Sequence, residues 1–134
     1  MRLDVGGVSV ELDYPGPTRT AGSILARVRE DDVLFSGDIL FTNYHVTMID
    51  GDVANWCQVL RNLQGTAPLT IAPGHGPLSS VADLHSMEEY LRVFDVEAAR
   101  LEKALTGAGY ATQRPSTNKI CWCAARTQDR ATMR

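Results

Sequence analysis

Apolar and polar side chains alternate through Val8-Ser9-Val10-Glu11-Leu12-Asp13-Tyr14, the period-two pattern of a half-buried strand, and Pro15-Gly16-Pro17 stops it. This strand is expected to open the domain. Ile24-Leu25-Ala26-Arg27-Val28 reads as a second strand and Glu30-Asp31-Asp32 as a tight turn. Val33-Leu34-Phe35-Ser36 reads as a third strand, running into Gly37-Asp38. The second and third strands form a hairpin whose last strand delivers a carboxylate.

From Asp52 the period changes. Val53, Trp56, Cys57, Leu60 and Leu63 recur at helical spacing, with Gly65 placed to end the helix. Leu69-Thr70-Ile71-Ala72 is a short apolar run between Pro68 and Pro73, the form of a buried strand, and it empties into Gly74-His75-Gly76-Pro77. A histidine is thereby expected on a loop at a strand end. Ser80, with Asp83 three residues on, approximates a capping box. Leu84, Met87, Leu91, Phe94, Leu101 and Leu105 then continue a helical stripe to Gly107.

Beyond Tyr110 no periodicity is sustained, and the charge changes with it. Residues 1–110 hold 8 basic and 15 acidic side chains, net −7, whereas residues 111–134 hold 5 and 1, net +4. The division expected is a folded unit over 1–110 and a basic, mobile tail over 111–134. The whole chain of 134 residues carries a formal charge of −3. It therefore has no overall positive field to bind phosphate backbones or anionic lipid, which argues against nucleic acid and membrane as partners. With no apolar run long enough to span a bilayer and no apolar core in Met1-Arg2-Leu3-Asp4, the expected location is the cytoplasm.

Three cysteines, Cys57, Cys121 and Cys123, are an odd number and argue against a disulfide framework. Cys57 falls on the apolar face of the first helix and reads as a core residue. Cys121 and Cys123 lie one residue apart and cannot complete a tetrahedral zinc site without partners.

A carboxylate after one strand and a histidine after another, each beside glycine, suit a site assembled at one end of a sheet, where glycine permits close approach. Asp38 and His75 are these residues. Spacing alone also fits, and rather favours, a turn-capping aspartate and an exposed loop histidine.

Three segments together resemble successive motifs of the metallo-β-lactamase superfamily: Gly16-Pro17-Thr18-Arg19-Thr20-Ala21-Gly22-Ser23, Val33-Leu34-Phe35-Ser36-Gly37-Asp38-Ile39-Leu40-Phe41 and Ala72-Pro73-Gly74-His75-Gly76-Pro77. They occur in the family's order and at similar intervals, and the two helices match as well, so the resemblance covers roughly residues 6–105. It implies the C-terminal half of an αββα sandwich, an α/β-layered unit of two to three antiparallel strands and one buried strand against two helices. It also implies zinc as the cofactor, with hydrolysis of an ester, lactam, thioester or phosphoester. By the motif match Asp38 resembles the family's bridging aspartate, and His75 resembles the last histidine, a ligand of the second metal.

The chain departs from the family at two places. The family's His-x-His-x-Asp-His motif is absent, and Arg19 stands where the family carries a histidine ligand. A guanidinium is always protonated and has no lone pair for zinc, but it suits a salt bridge to Asp38 or a small anion. His45 is a candidate third ligand if its loop folds back, whereas His85 sits inside the second helix. Tyr44 and Trp56 are candidates to line a pocket, although a tryptophan on an apolar helix face is more often core.

The expectation is thus a truncated hydrolase-like chain, inactive in isolation, or else a non-catalytic, oligomeric module that binds a small molecule or a protein. The sheet face and edge that would meet a missing half are expected to be apolar and unpaired. Such a surface calls for a homo-oligomer or a complementing N-terminal half.

Overall fold

A computed structural model describes residues 1–48, 50–66 and 68–109 of the chain. The basic tail, with Cys121 and Cys123, lies outside these described residues. Five strands form one sheet in the order β1 (Arg2–Val5), β2 (Val8–Asp13), β3 (Leu25–Val28), β4 (Val33–Phe41) and β5 (Thr70–His75). The first four pair antiparallel, and β5 adds parallel to β4. Helix α1 (Val53–Thr66) makes the crossover that this parallel pairing requires, and α2 (Val81–Gly107) follows β5.

The layered α/β arrangement agrees with the expectation, with several local corrections. Strand β1 precedes the strand expected to open the domain. Its signal is the Gly6-Gly7 pair, both residues at positive φ (63° and 90°), which joins two alternating segments as a two-residue hairpin turn. Asp4 accepts the Gly7 N–H at 3.0 Å and closes that turn. The antiparallel part of the sheet accordingly has four strands rather than two to three.

Helix α1 runs one residue past Gly65, which does not take a left-handed conformation. Strand β4 runs on past Ser36 through Asp38 to Phe41, and β5 continues through Pro73 and Gly74, so Asp38 lies inside a strand rather than after one and His75 ends a strand rather than standing on a loop.

The helix starts are set locally. The carboxylate of Asp52 accepts the Asn55 N–H at 3.0 Å, capping α1, and Asp83 accepts the Ser80 N–H at 2.8 Å at the head of α2. The core lies between the helices and one face of β3–β5: Leu25, Leu34 and Ile71 from the sheet meet Trp56, Leu60, Leu84 and Leu91 from the helices. Each fully buried Leu or Ile contributes about 1.5–3 kcal/mol of transfer free energy. Trp56 is completely buried in the core, and its indole N–H donates to the Ile39 carbonyl at 2.8 Å. Cys57 is half-buried against the same core, and burial pushes its thiol pKa up, with nearby Glu88 adding to the effect.

The C-terminal part of α2 leaves this core. Leu101 and Leu105, expected on its apolar stripe, are exposed, and Ala98 is the last buried residue of the helix. No described helix is long and apolar enough to cross a membrane.

Candidate metal-ligand pair on paired strands

Strand β4 is irregular where its chemistry lies. Its pairing with β5 shifts between Phe35 and Gly37 and again between Gly37 and Phe41, and Gly37 has a φ of 50°. Strict alternation is broken: Ile39 and Leu40, neighbours in sequence, are both fully buried, while Asp38 is left facing outward. Such bulges re-aim side chains at sheet margins. The loop before β3 is fixed from below, since Asn55 donates to the Pro15 carbonyl at 3.2 Å and to the Pro17 carbonyl at 2.7 Å. The Asp52 N–H reaches the Thr18 carbonyl at 2.8 Å.

Asp38 and His75 come together. His75 Nε2 lies 3.4 Å from Asp38 Oδ1, with the side chains 51% and 47% exposed. A polar contact this open to water contributes little to stability. The His75 ring stacks on Phe41 with centroids 4.7 Å apart and planes within 12°, and the Tyr44 ring lies 6.0 Å from it, tilted by 50°. Phe41 was not singled out from the sequence; the only hint is an aromatic three residues after Asp38.

The neighbouring glycines are steric necessities. A β-carbon on Gly74 would stand 2.5 Å from Asp38 Oδ1 and 2.7 Å from the Gly37 carbonyl carbon, and one on Gly76 would run into the Thr42 carbonyl.

Arg19 and His45 lie elsewhere in the hydrogen-bond network. Arg19 donates to Thr47 Oγ1 at 2.7 Å, and the side chain beside Asp38 is His75, so the salt bridge expected between Arg19 and Asp38 does not form. The imidazole of His45 turns to the Tyr90 hydroxyl on α2 at 3.4 Å. His85 is exposed on α2.

Two ligand atoms about 2.0–2.1 Å from one tetrahedral ion are separated by about 3.3–3.4 Å. The spacing of Asp38 Oδ1 and His75 Nε2 therefore fits two positions of such a shell. A catalytic zinc takes three protein ligands and keeps a fourth position open. Among the described residues no group of three His, Cys, Asp or Glu side chains could hold a metal ion. The pair fits a metal; the set does not fit a catalytic one.

Comparison with solved structures finds the same fold in a metallo-beta-lactamase from Pontibacter korlensis, at 22% identity and a TM-score of 0.63, covering 69% of this chain and 45% of that one. The DIM-1 metallo-beta-lactamase matches at 19% identity and a TM-score of 0.60, over 67% of this chain and 43% of the other. The chain thus spans less than half the length of these structures. A search of curated proteins gave no match. The family described as the metallo-beta-lactamase superfamily matches residues 2–75, more than half of the sequence and the whole run from β1 to His75. The chain belongs to the metallo-beta-lactamase superfamily.

Proposed function

We propose that this chain is a metallo-hydrolase-like half-domain in which Asp38 and His75 supply two ligands of a divalent-metal site, and that it has no zinc-hydrolase activity on its own. The observation that carries this reading is the 3.4 Å separation of Asp38 Oδ1 and His75 Nε2, one in the bulged part of β4 and the other at the end of the paired β5. Both side chains face solvent, so an ion can reach them without unfolding the sheet. The roles of bridging aspartate and last histidine come from the motif resemblance. When bound, zinc would supply a Lewis acid and an activated water.

The chain's own residues prepare the pair. Gly37 and Gly74 bring the carboxylate and the β5 backbone into contact, and Phe41 sets the plane of the imidazole. Two ligands leave an ion mostly hydrated and exchangeable, which favours weak binding without turnover.

The test is a zinc titration by calorimetry on wild type, Asp38→Ala and His75→Ala, beside hydrolysis of a chromogenic ester and a β-lactam by the zinc-loaded chain. Weak zinc binding that either substitution abolishes, with no chelator-sensitive turnover, is the expected result. Chelator-sensitive turnover in wild type that is lost in Asp38→Ala would overturn the inactivity. Zinc binding unchanged by both substitutions would overturn the ligand assignment.

A further inference from the structure

The two faces of the sheet are unequal in a way that the core does not explain. One row of paired residues, Arg2, Glu11, Arg27, Leu34 and Ile71, lies on the helix side. It is apolar only at Leu34 and Ile71, under the helices, and charged at Arg2, Glu11 and Arg27, where the core thins out. The next row, Leu3, Val10, Val28, Val33 and Thr70, points to the opposite face and carries no charge in any of the five strands.

A second row on that face, Leu12, Ala26, Phe35 and Ala72, is also uncharged, and the Val5–Val8 pair extends the face toward the hairpin end. Val28 is buried yet stands apart from the core under the helices, as expected for the middle of a second apolar layer. Val5 is 60% exposed and Phe35 48%. The alternation that makes β2 read as a half-buried strand therefore points its apolar side chains at water in the single chain.

We propose that a second copy of this chain covers this face, the two sheets packing face to face as a two-fold dimer with the helices outermost. Five strands about 4.8 Å apart, over four or five residues of about 3.3 Å rise, give a plan area of about 400 Å². With the relief of the side chains, two copies bury on the order of 1,000 Å² together, the lower bound for a specific interface.

A face without charges meets its own copy with no like-charge repulsion and no unpaired buried ion, as a two-fold interface between identical patches requires. Uncharged sheet faces pack at about −30° with side chains interdigitated. Asp38 and His75 lie beyond these rows, C-terminal to the Phe35–Ala72 pair, so the dimer does not depend on their metal chemistry.

The experiment is sedimentation of the full chain from low to high micromolar concentration, on wild type, Val8→Lys and Phe35→Lys. Both side chains are exposed in the single chain, so the lysines leave its fold intact, as circular dichroism checks. Wild type should be dimeric, and each lysine should raise the dissociation constant at least about tenfold. Binding of the apolar dye ANS per wild-type chain should fall as concentration rises, a readout that needs no substitution.

A wild type that stays monomeric and keeps binding dye overturns the proposal and leaves the face to a different polypeptide. A dimer that both lysine variants retain overturns it too, since the copies then meet elsewhere.

Discussion

The α-carbon of Gly74 sits against the carboxylate of Asp38 so closely that an added β-carbon would stand 2.5 Å from Oδ1. The same atom would meet the backbone of Gly37 and Asp38 at 2.7 and 2.8 Å, where no flexible side chain can give way. Gly74→Ala is expected to cost about 1–3 kcal/mol, as overpacking does, and to separate Asp38 from His75. Gly65→Ala is the control: nothing lies within 4 Å of its added carbon, and it sits inside α1. It should stabilise the chain by about 0.5–1 kcal/mol. Urea midpoints of the two variants should therefore move in opposite directions; a shift of the same sign would contradict the packing described for Gly74.

Trp56 joins the crossover helix to β4 through one buried hydrogen bond and a fully enclosed ring. Trp56→Phe keeps most of the apolar volume and removes the buried hydrogen bond to the Ile39 carbonyl, at a cost of about 1–3 kcal/mol. Trp56→Ala adds a cavity and should cost about 3–5 kcal/mol. Equal losses in the two variants, read by chemical denaturation, would assign the whole effect to the hydrogen bond.

Asp32 ties the β3–β4 turn to the start of β5. Its carboxylate receives Arg27 at 2.8 Å and the Leu69 N–H at 2.9 Å, and these bonds, Arg27 first, hold its pKa below the ordinary carboxylate value of 3.8. A depressed folded pKa contributes stability above the unfolded value and loses it as pH falls through the lower, folded one. Wild type should thus exceed Asp32→Asn in stability near neutral pH, and the gap should close below pH of about 4. Asparagine tolerates the φ of 51° at this position, so the substitution tests the charge and not the backbone. A gap that persists undiminished at the acid end would sink the electrostatic explanation.

Phe41 presents its ring face to His75. Phe41→Leu removes the ring current and the stack while keeping an apolar side chain against the core. The His75 ring protons should move downfield in the NMR spectrum, with a stability loss below about 1.5 kcal/mol, as for volume-conserving apolar swaps. An unchanged imidazole spectrum would show that the rings do not stack in solution.

The sequence by itself determined what short-range chemistry controls. The alternation of Val8 to Tyr14, the turn at Glu30-Asp31-Asp32, the helical spacing from Val53 to Leu63 and the Ser80–Asp83 signal each depend on a few adjacent residues, and each element formed where that chemistry placed it. The motif resemblance to the superfamily is likewise legible in the sequence, because its residues lie in short runs. The Gly6-Gly7 turn was legible in the same way and was missed, together with β1.

What only the tertiary structure decided depends on register between distant strands. The parallel pairing of β4 with β5 brings His75 to Asp38 and Phe41, and the bulge at Gly37 turns Asp38 outward; no local pattern encodes either. The same long-range geometry sent Arg19 to Thr47 and His45 to Tyr90. It also decided which face of β2 the helices would leave open. Alternation states that a strand has one apolar face, but which way that face points is set by where the rest of the chain packs.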